Sequence, residues 1–221
     1  DAAKVRPVVS DPGEARARSV RELAERCRYE APHAAQVQRL ALVLFDALAP
    51  KLGLDGEDRA ALADAALLHD IGYHINYSRH HKHSFHLILH AELLGMPPVE
   101  QVLVAHVARY HRGRPPARRH EAYAKLPPAQ QERVRKLSAI LRVADGLDRG
   151  HVGAVADVKV RALARALRIT PVPSRGASLR LELWGAARKS ELLAEVAEKP
   201  VEIVAPDGRV VTLDDLVTDT D

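Results

Sequence analysis

The sequence predicts a mainly α protein, a helical bundle followed by a small C-terminal α+β subdomain, and three observations carry that prediction. Apolar and small residues recur at helical spacing through most of the first 150 positions. Aromatic residues make up only 4 %, so the core must be built from Leu, Val and Ala, which suits close-packed helices better than a β-sandwich. After Gly150 the texture changes to alternation of apolar and polar residues, the period of half-buried strands.

Residues 1–13 contain Pro7, Pro12 and Gly13 without periodicity and read as a linker, left by the cutting of a longer chain that does not begin at Asp1. The helical domain is expected over 14–154. Val20, Leu23, Ala24 and Cys27 mark a first helix, and Val37, Leu40, Ala41, Leu44, Phe45 and Leu48 a second. Pro32 stands where a helix can begin without losing an internal hydrogen bond, and Pro50 and Gly53 mark the second helix's end. Segment 57–71 is a third helix, apolar nearly all round its later turns and therefore central. Two more patterns span 84–95 and 98–110, separated by Gly95, Pro97 and Pro98; 113–128 reads as a Pro- and Arg-rich loop, and a long helix follows over 129–147. In the tail, 155–221, strands are expected around Val155–Val160, Leu167–Val172 and Leu179–Leu183, then a helix over 186–197 and a strand over 200–204.

The single Cys27 allows no internal disulfide and no Cys-based metal site; it fits a reducing compartment and reads as a buried small hydrophobe. No apolar run reaches the length of about 20 residues that a membrane-spanning helix needs. The expected location is the cytoplasm, with no membrane partner. Net charge is only +4, but basic residues cluster at 79–83 and 109–119, patches that attract polyanions. The chain lacks a nucleic-acid recognition motif and is poor in stacking aromatics, so no specific nucleic-acid partner is expected.

Chemistry concentrates where polar residues interrupt apolar helices. His69-Asp70 ends the most apolar helix, where burial of either side chain demands a hydrogen bond, an ion pair or a cation; a hydrogen-bonded helix end capped by Gly72 satisfies the dipeptide equally well. His33 opens an amphipathic helix, and Asp145 follows the apolar run Leu137, Ile140, Leu141, Val143, Ala144. Each helix thus brings a candidate ligand toward the core, and the third brings the His69-Asp70 pair. The mixed nitrogen and oxygen set suits a divalent ion: Mn, Fe, Zn, Ni, Co or, less naturally, Mg. Such an ion would lower the pKa of a bound water and polarise a phosphoryl oxygen, with no need of a Ser or Cys nucleophile.

His33, His69-Asp70 and Asp145 resemble the H…HD…D pattern of the HD-domain metal-dependent phosphohydrolases. More specifically, the segments Ala65–Gly72, His80–Ser84, Ala108–Arg112 and Arg142–Asp148 are similar to the C-terminal region of the exopolyphosphatase/guanosine pentaphosphate phosphatase family, Ppx/GppA, and Leu179–Trp184 resembles its closing α+β piece. The resemblance implies an HD-type bundle whose metal ligands are His33, His69, Asp70 and Asp145, with Asp70 and Asp145 the catalytic pair. By the same resemblance His83 and His111 would hold a second ion. Lys82 and Arg112 adjoin candidate ligands and are the expected phosphate-binding residues; Arg109 and Arg114 belong to the same basic mouth. His86 and His90 read as a hydrogen-bonded polar face, His80 and His81 as an exposed loop, and Asp148 as a surface partner of Arg149 or Arg142.

The expected function is phosphohydrolysis of phosphate esters or anhydrides: a nucleotide, (p)ppGpp or polyphosphate. The alternative is a non-catalytic module that binds polyphosphate or an alarmone for an exopolyphosphatase. The family's N-terminal half, an actin-like ATPase fold with glycine-rich phosphate loops, has no counterpart in these residues. The expected partner is a phosphate-containing small molecule or polyphosphate, with a homodimer as the candidate assembly.

Overall fold

A computed structural model describes residues 11–212; the greater part of the expected N-terminal linker, 1–10, lies outside the described residues. Pro12 and Gly13, expected in that linker, instead open helix α1 (Pro12–Arg26), because Asp11 caps it by accepting the Gly13 N–H. Helix α2 (Ala31–Leu52) runs through Pro50 and stops at Gly53, which takes the left-handed conformation. Helix α3 (Gly56–Leu68) starts with a reciprocal capping box between Asp55 and Asp58. After His69 and Asp70 a short 3-10 turn spans Ile71–His74. Then come α4 (His80–Leu89), α5 (Pro98–Arg109), the brief α6 (Glu121–Ala124) within the expected loop, and α7 (Pro128–Gly146).

Helices α2, α3, α5 and α7 pack on one another around a core of small and aliphatic side chains, with Leu40, Leu44, Leu62, Leu68, Leu103, Leu137 and Ile140 fully buried and Cys27 among the apolar lining. The fold is mostly helical with a small sheet at its C-terminal end. Strand β1 (Val155–Ala162) pairs antiparallel with β2 (Leu167–Pro173), and β2 pairs parallel with β3 (Val201–Ile203).

Two tail expectations are corrected. The Leu179, Leu181, Leu183 alternation does not form a strand: Arg180–Lys189 is helix α8, burying Leu179, Leu183 and Ala186 at helical spacing while Leu181 faces solvent. The period-two pattern was too short to outweigh a run of strong helix formers. The helix expected over 186–197 breaks at Ser190, and α9 (Glu191–Ala197) follows. Helix α8 lies on α7. The crossing is close because two glycines meet there: a Cβ on Gly185 would lie 2.4 Å from the Gly146 carbonyl oxygen.

Candidate metal centre

The end of α3 is fixed against α4 by a buried serine. The Ser84 hydroxyl of α4 donates to the His69 carbonyl at 2.7 Å and accepts the Gly72 N–H at 2.9 Å, clamping the start of α4 onto the His69-Asp70 corner. Gly72 is required by this approach rather than by a left-handed cap: a Cβ there would meet the His80 carbonyl oxygen at 2.0 Å. Because α4 begins at His80, four residues earlier than the periodicity suggests, its buried stripe runs through His80, Ser84, Phe85 and Ile88.

The clamp brings His80 to the site and turns His83 away. His80, expected in an exposed loop, is 1 % exposed, whereas His83 lines a separate surface pocket with Asn76, Ser78, Arg79, Lys82 and His86. Of the two residues expected at a second ion, the structure places His111 beside Asp70 but not His83, and His80 stands with His111 instead.

Asp70 sits at the centre. Its Oδ1 lies 3.0 Å from His80 Nε2 and 3.3 Å from His111 Nε2, and its Oδ2 lies 3.4 Å from His69 Nε2 and 3.7 Å from His33 Nε2. Asp145 Oδ1 is 3.7 Å from His33 Nε2. Two groups of donors result, His33 with His69 and Asp70, and His80 with His111 and Asp70, each within 4.8 Å of one another. Of the expected residues, His33, His69, Asp70, His111 and Asp145 thus converge.

The imidazoles are oriented by what lies behind them. His69 Nδ1 faces the Ala66 carbonyl at 2.7 Å, His111 Nδ1 the Ala108 carbonyl at 2.7 Å, and His80 Nδ1 the Tyr77 carbonyl at 3.2 Å. Carbonyls only accept, so each Nδ1 carries the proton and each Nε2 turns a lone pair toward Asp70. His33 Nδ1 is held in the same way by Asp148 Oδ2 at 2.7 Å. Asp148 is 1 % exposed and also accepts the Gly153 N–H, so its expected role as a surface ion-pair partner is corrected. His151, to which the sequence assigned nothing, stacks on His33 with ring centroids 3.6 Å apart and is bound to Glu30. No sequence signal marked it.

The electrostatics fit a cation. His33 Nε2, His69 Nε2 and Asp70 Oδ1 are buried and have no hydrogen-bond partner among the described residues. Lone pairs facing a carboxylate repel unless a proton or a metal ion stands between them. Burial alone would raise the Asp70 carboxyl, but positive charge placed on the facing edges of His69, His80 and His111, the charge that a bound cation would supply instead, holds it well below the usual range. Burial likewise drives His111 well below the ordinary imidazole value, against the pull of Asp70, which keeps its Nε2 free. For Asp145, burial is outweighed by Lys189, whose ammonium contacts Oδ2, and its carboxyl is held low.

Above these groups opens a cleft of about 420 Å³ lined by Asp70, Tyr73, His80, His111 and Asp145 below and by the cations Arg112, Arg142, Arg149, Arg188 and Lys189 around it. Arg142 donates to the Tyr110 and Gly113 carbonyls at 3.0 Å each, shaping the wall. The expected phosphate ligand Arg112 is at this mouth. Lys82 is not: with Arg79, His81, Arg109, Tyr110, Arg114 and His120 it lines a neighbouring pocket.

Fold and donor set together define a class: an α-helical domain that carries a histidine–aspartate cluster of metal-ligating chemistry beneath a cationic cleft. The chain belongs to the family described as Ppx/GppA phosphatase, domain III, which it matches over residues 15–172. It is also similar, at 30 % identity over 98 residues, to the guanosine-5'-triphosphate,3'-diphosphate pyrophosphatase of Pseudoalteromonas atlantica. That stretch is 44 % of this chain and spans only 20 % of the relative's length.

Proposed function

We propose that the chain is an HD-type, metal-dependent phosphohydrolase acting on phosphate esters or anhydrides. The observation that carries this reading is the convergence of four imidazole Nε2 atoms on one carboxylate, with their Nδ1 atoms tied down behind. His33, His69, Asp70 and Asp145 would hold one divalent ion, and His80, His111 and the shared Asp70 a second. Bound there, such ions supply a polarised phosphoryl oxygen and a water acidic enough to attack near neutral pH. The protein's own groups do the rest. Arg112 and Arg149 draw in and orient the phosphate; Asp70 and Asp145, ionised throughout the physiological range, orient the attacking water. Tyr73, whose hydroxyl is pushed up to about 12 chiefly by burial, stays protonated and donates at the cleft wall.

The relative's printed activity, on a guanosine phosphate, supports an alarmone or nucleotide among the substrates, and polyphosphate follows from the family name. A cytoplasmic setting agrees with the free Cys27, and no helix among the described residues is long and apolar enough to cross a membrane. The test is elemental analysis of the purified protein, followed by turnover on a panel of nucleotides, alarmones and short polyphosphates. Stoichiometric metal and turnover, both abolished by Asp70→Ala, are expected; metal uptake with no turnover on the whole panel refutes the enzymatic reading.

A second reading has its own observation. Among the described residues the pocket formed by Arg79, His81, Lys82, Arg109, Arg114 and His120 contains no carboxylate, and burial together with His80, Arg112, Lys82 and Arg109 pushes His81 down to about 4. Such a surface would bind polyphosphate or an alarmone without cleaving it. Salt-sensitive polyphosphate binding that survives Asp70→Ala and is lost in Arg109→Ala/Arg114→Ala supports this module reading.

A further inference from the structure

The metal-ligating residues lie within the family match, but α8 does not: the match ends at residue 172, and Lys189 projects into the site from beyond it. How it gets there is visible in the packing. Gly185 of α8 sits against Gly146 of α7 so closely that neither position has room for a Cβ. Lys189 is one helical turn after Gly185, and Asp145 immediately precedes Gly146, so the glycine contact sets the ammonium on the carboxylate. The Lys189 Nζ touches Asp145 Oδ2, and the lysine lines the cleft.

This contact has a consequence for the cation pole formed by His33, His69 and Asp70. Asp145 Oδ1 approaches His33 Nε2 at 3.7 Å, on the ring edge that faces Asp70, yet Asp145 belongs to neither close donor group. It is engaged on its other oxygen. An ammonium and a divalent ion that share one carboxylate at this range repel each other, and both compete for its charge.

We propose that Lys189 is a positioning residue of the metal centre: it holds Asp145 in the metal-free protein and must yield that carboxylate when the cation is taken up, leaving the freed ammonium in the cleft to meet the substrate phosphate. The inference rests on the metal-centre reading above. It makes the C-terminal helix a working part of the site, with metal uptake and the placement of α8 as linked events. Linkage is reciprocal, so whatever loosens Lys189 from Asp145 strengthens metal binding. The single tryptophan, Trp184, lies five residues before Lys189, lines the same cleft, and reports on α8.

The experiment is calorimetric titration of the full chain with Mn²⁺, repeated on Lys189→Met and Lys189→Arg, with Trp184 emission recorded in parallel. Met keeps length and apolar packing and removes the charge; Arg keeps the charge. The expected result is Mn²⁺ binding at least about tenfold tighter in Lys189→Met, near-parental binding in Lys189→Arg, and a Trp184 emission change that follows Mn²⁺ uptake in the parent chain. Equal or weaker binding by a folded Lys189→Met, with the parent chain binding Mn²⁺ normally, overturns the role of Lys189 and leaves the metal centre standing. Absence of uptake by all the proteins overturns the metal centre and this proposal with it. Uptake by Lys189→Met alone would show the competition at its strongest.

Discussion

Asp148 offers the sharpest test of why His33 points its Nε2 inward. Its two oxygens are both committed, Oδ2 to His33 Nδ1 at 2.7 Å and Oδ1 to the Gly153 N–H at 3.0 Å, in a place almost closed to solvent. Asp148→Asn preserves the shape but cannot serve both partners. If the amide oxygen keeps the Gly153 N–H, the NH₂ group faces His33 Nδ1, which must then accept, and the ring proton moves to Nε2 where a ligand lone pair is needed. If the amide flips, two N–H groups confront each other at Gly153. The loss of such an outer partner lowers metal affinity about 10- to 100-fold, at about 1.4 kcal/mol per tenfold. Asp148→Ala leaves both donors without an acceptor and should also cost roughly 3–5 kcal/mol of stability. Mn²⁺ calorimetry reads the first effect and urea melts the second. A folded Asp148→Asn that binds Mn²⁺ as the parent does would refute the tautomer argument.

Other perturbations probe the scaffold. Ser84→Ala removes both bonds of the α3–α4 clamp and is expected to lower stability by about 2–3 kcal/mol in chemical denaturation; an unchanged midpoint would show that packing alone sets His80. Gly185→Ala forces a Cβ onto the Gly146 backbone, so it should destabilise by about 1–3 kcal/mol and move Trp184 emission as α8 shifts. Unaltered emission would mean that the tail is positioned from elsewhere. The third concerns pH in the metal-free protein. Burial holds His106 and His111 below the ordinary 6.5, and burial with neighbouring cations takes His81 to about 4. The unfolded chain therefore binds more protons than the folded one below pH 6.5. These groups' contribution is complete above 6.5 and is lost progressively as pH falls toward 4. Urea midpoints at pH 7 and pH 5 should differ in that sense, and a higher midpoint at pH 5 would contradict it.

The helical half of the fold was legible because its signals are redundant: Val37, Leu40, Ala41, Leu44 and Leu48 repeat one face over several turns, and Gly53 ends it. In the tail the alternation that marks β1 and β2 was legible too, but Leu179, Leu181 and Leu183 misled, because they satisfy a strand period over too few residues to compete with the helix formers that follow. In the site, the residues that the pattern named lie together, while two that it missed, His80 and Asp148, were misjudged for one reason. Both lie beside charged or polar neighbours, Arg79 and His81 in one case and Arg149 in the other, and read as surface when tertiary packing in fact buries them. His83 failed differently, since which histidine of α4 meets the site depends on how that helix packs, and Ser84 fixes that packing against Gly72 across a gap of a dozen residues.

The same packing explains why so polar a cluster is tolerated in an aliphatic core. A buried histidine or aspartate is cheap when every polar atom is bonded, and evolution of a merely structural helix end would be expected to complete those bonds. Here the completion is one-sided. Each Nδ1 has its acceptor, Ser84 satisfies the His69 carbonyl and the Gly72 amide, and Lys189 satisfies one oxygen of Asp145. Yet the Nε2 atoms of His33 and His69, which face Asp70 Oδ2, and the Oδ1 of Asp70, which faces His80 and His111, are left without a hydrogen bond. A network that fixes the back of every ring and leaves the front unsatisfied is unfavourable as a scaffold and favourable as a preorganised receptor for a cation, since the rings need not turn when it arrives. The residual frustration is concentrated at the bottom of the one cleft among these residues that combines both carboxylates with a ring of arginine and lysine, where a phosphate would meet it.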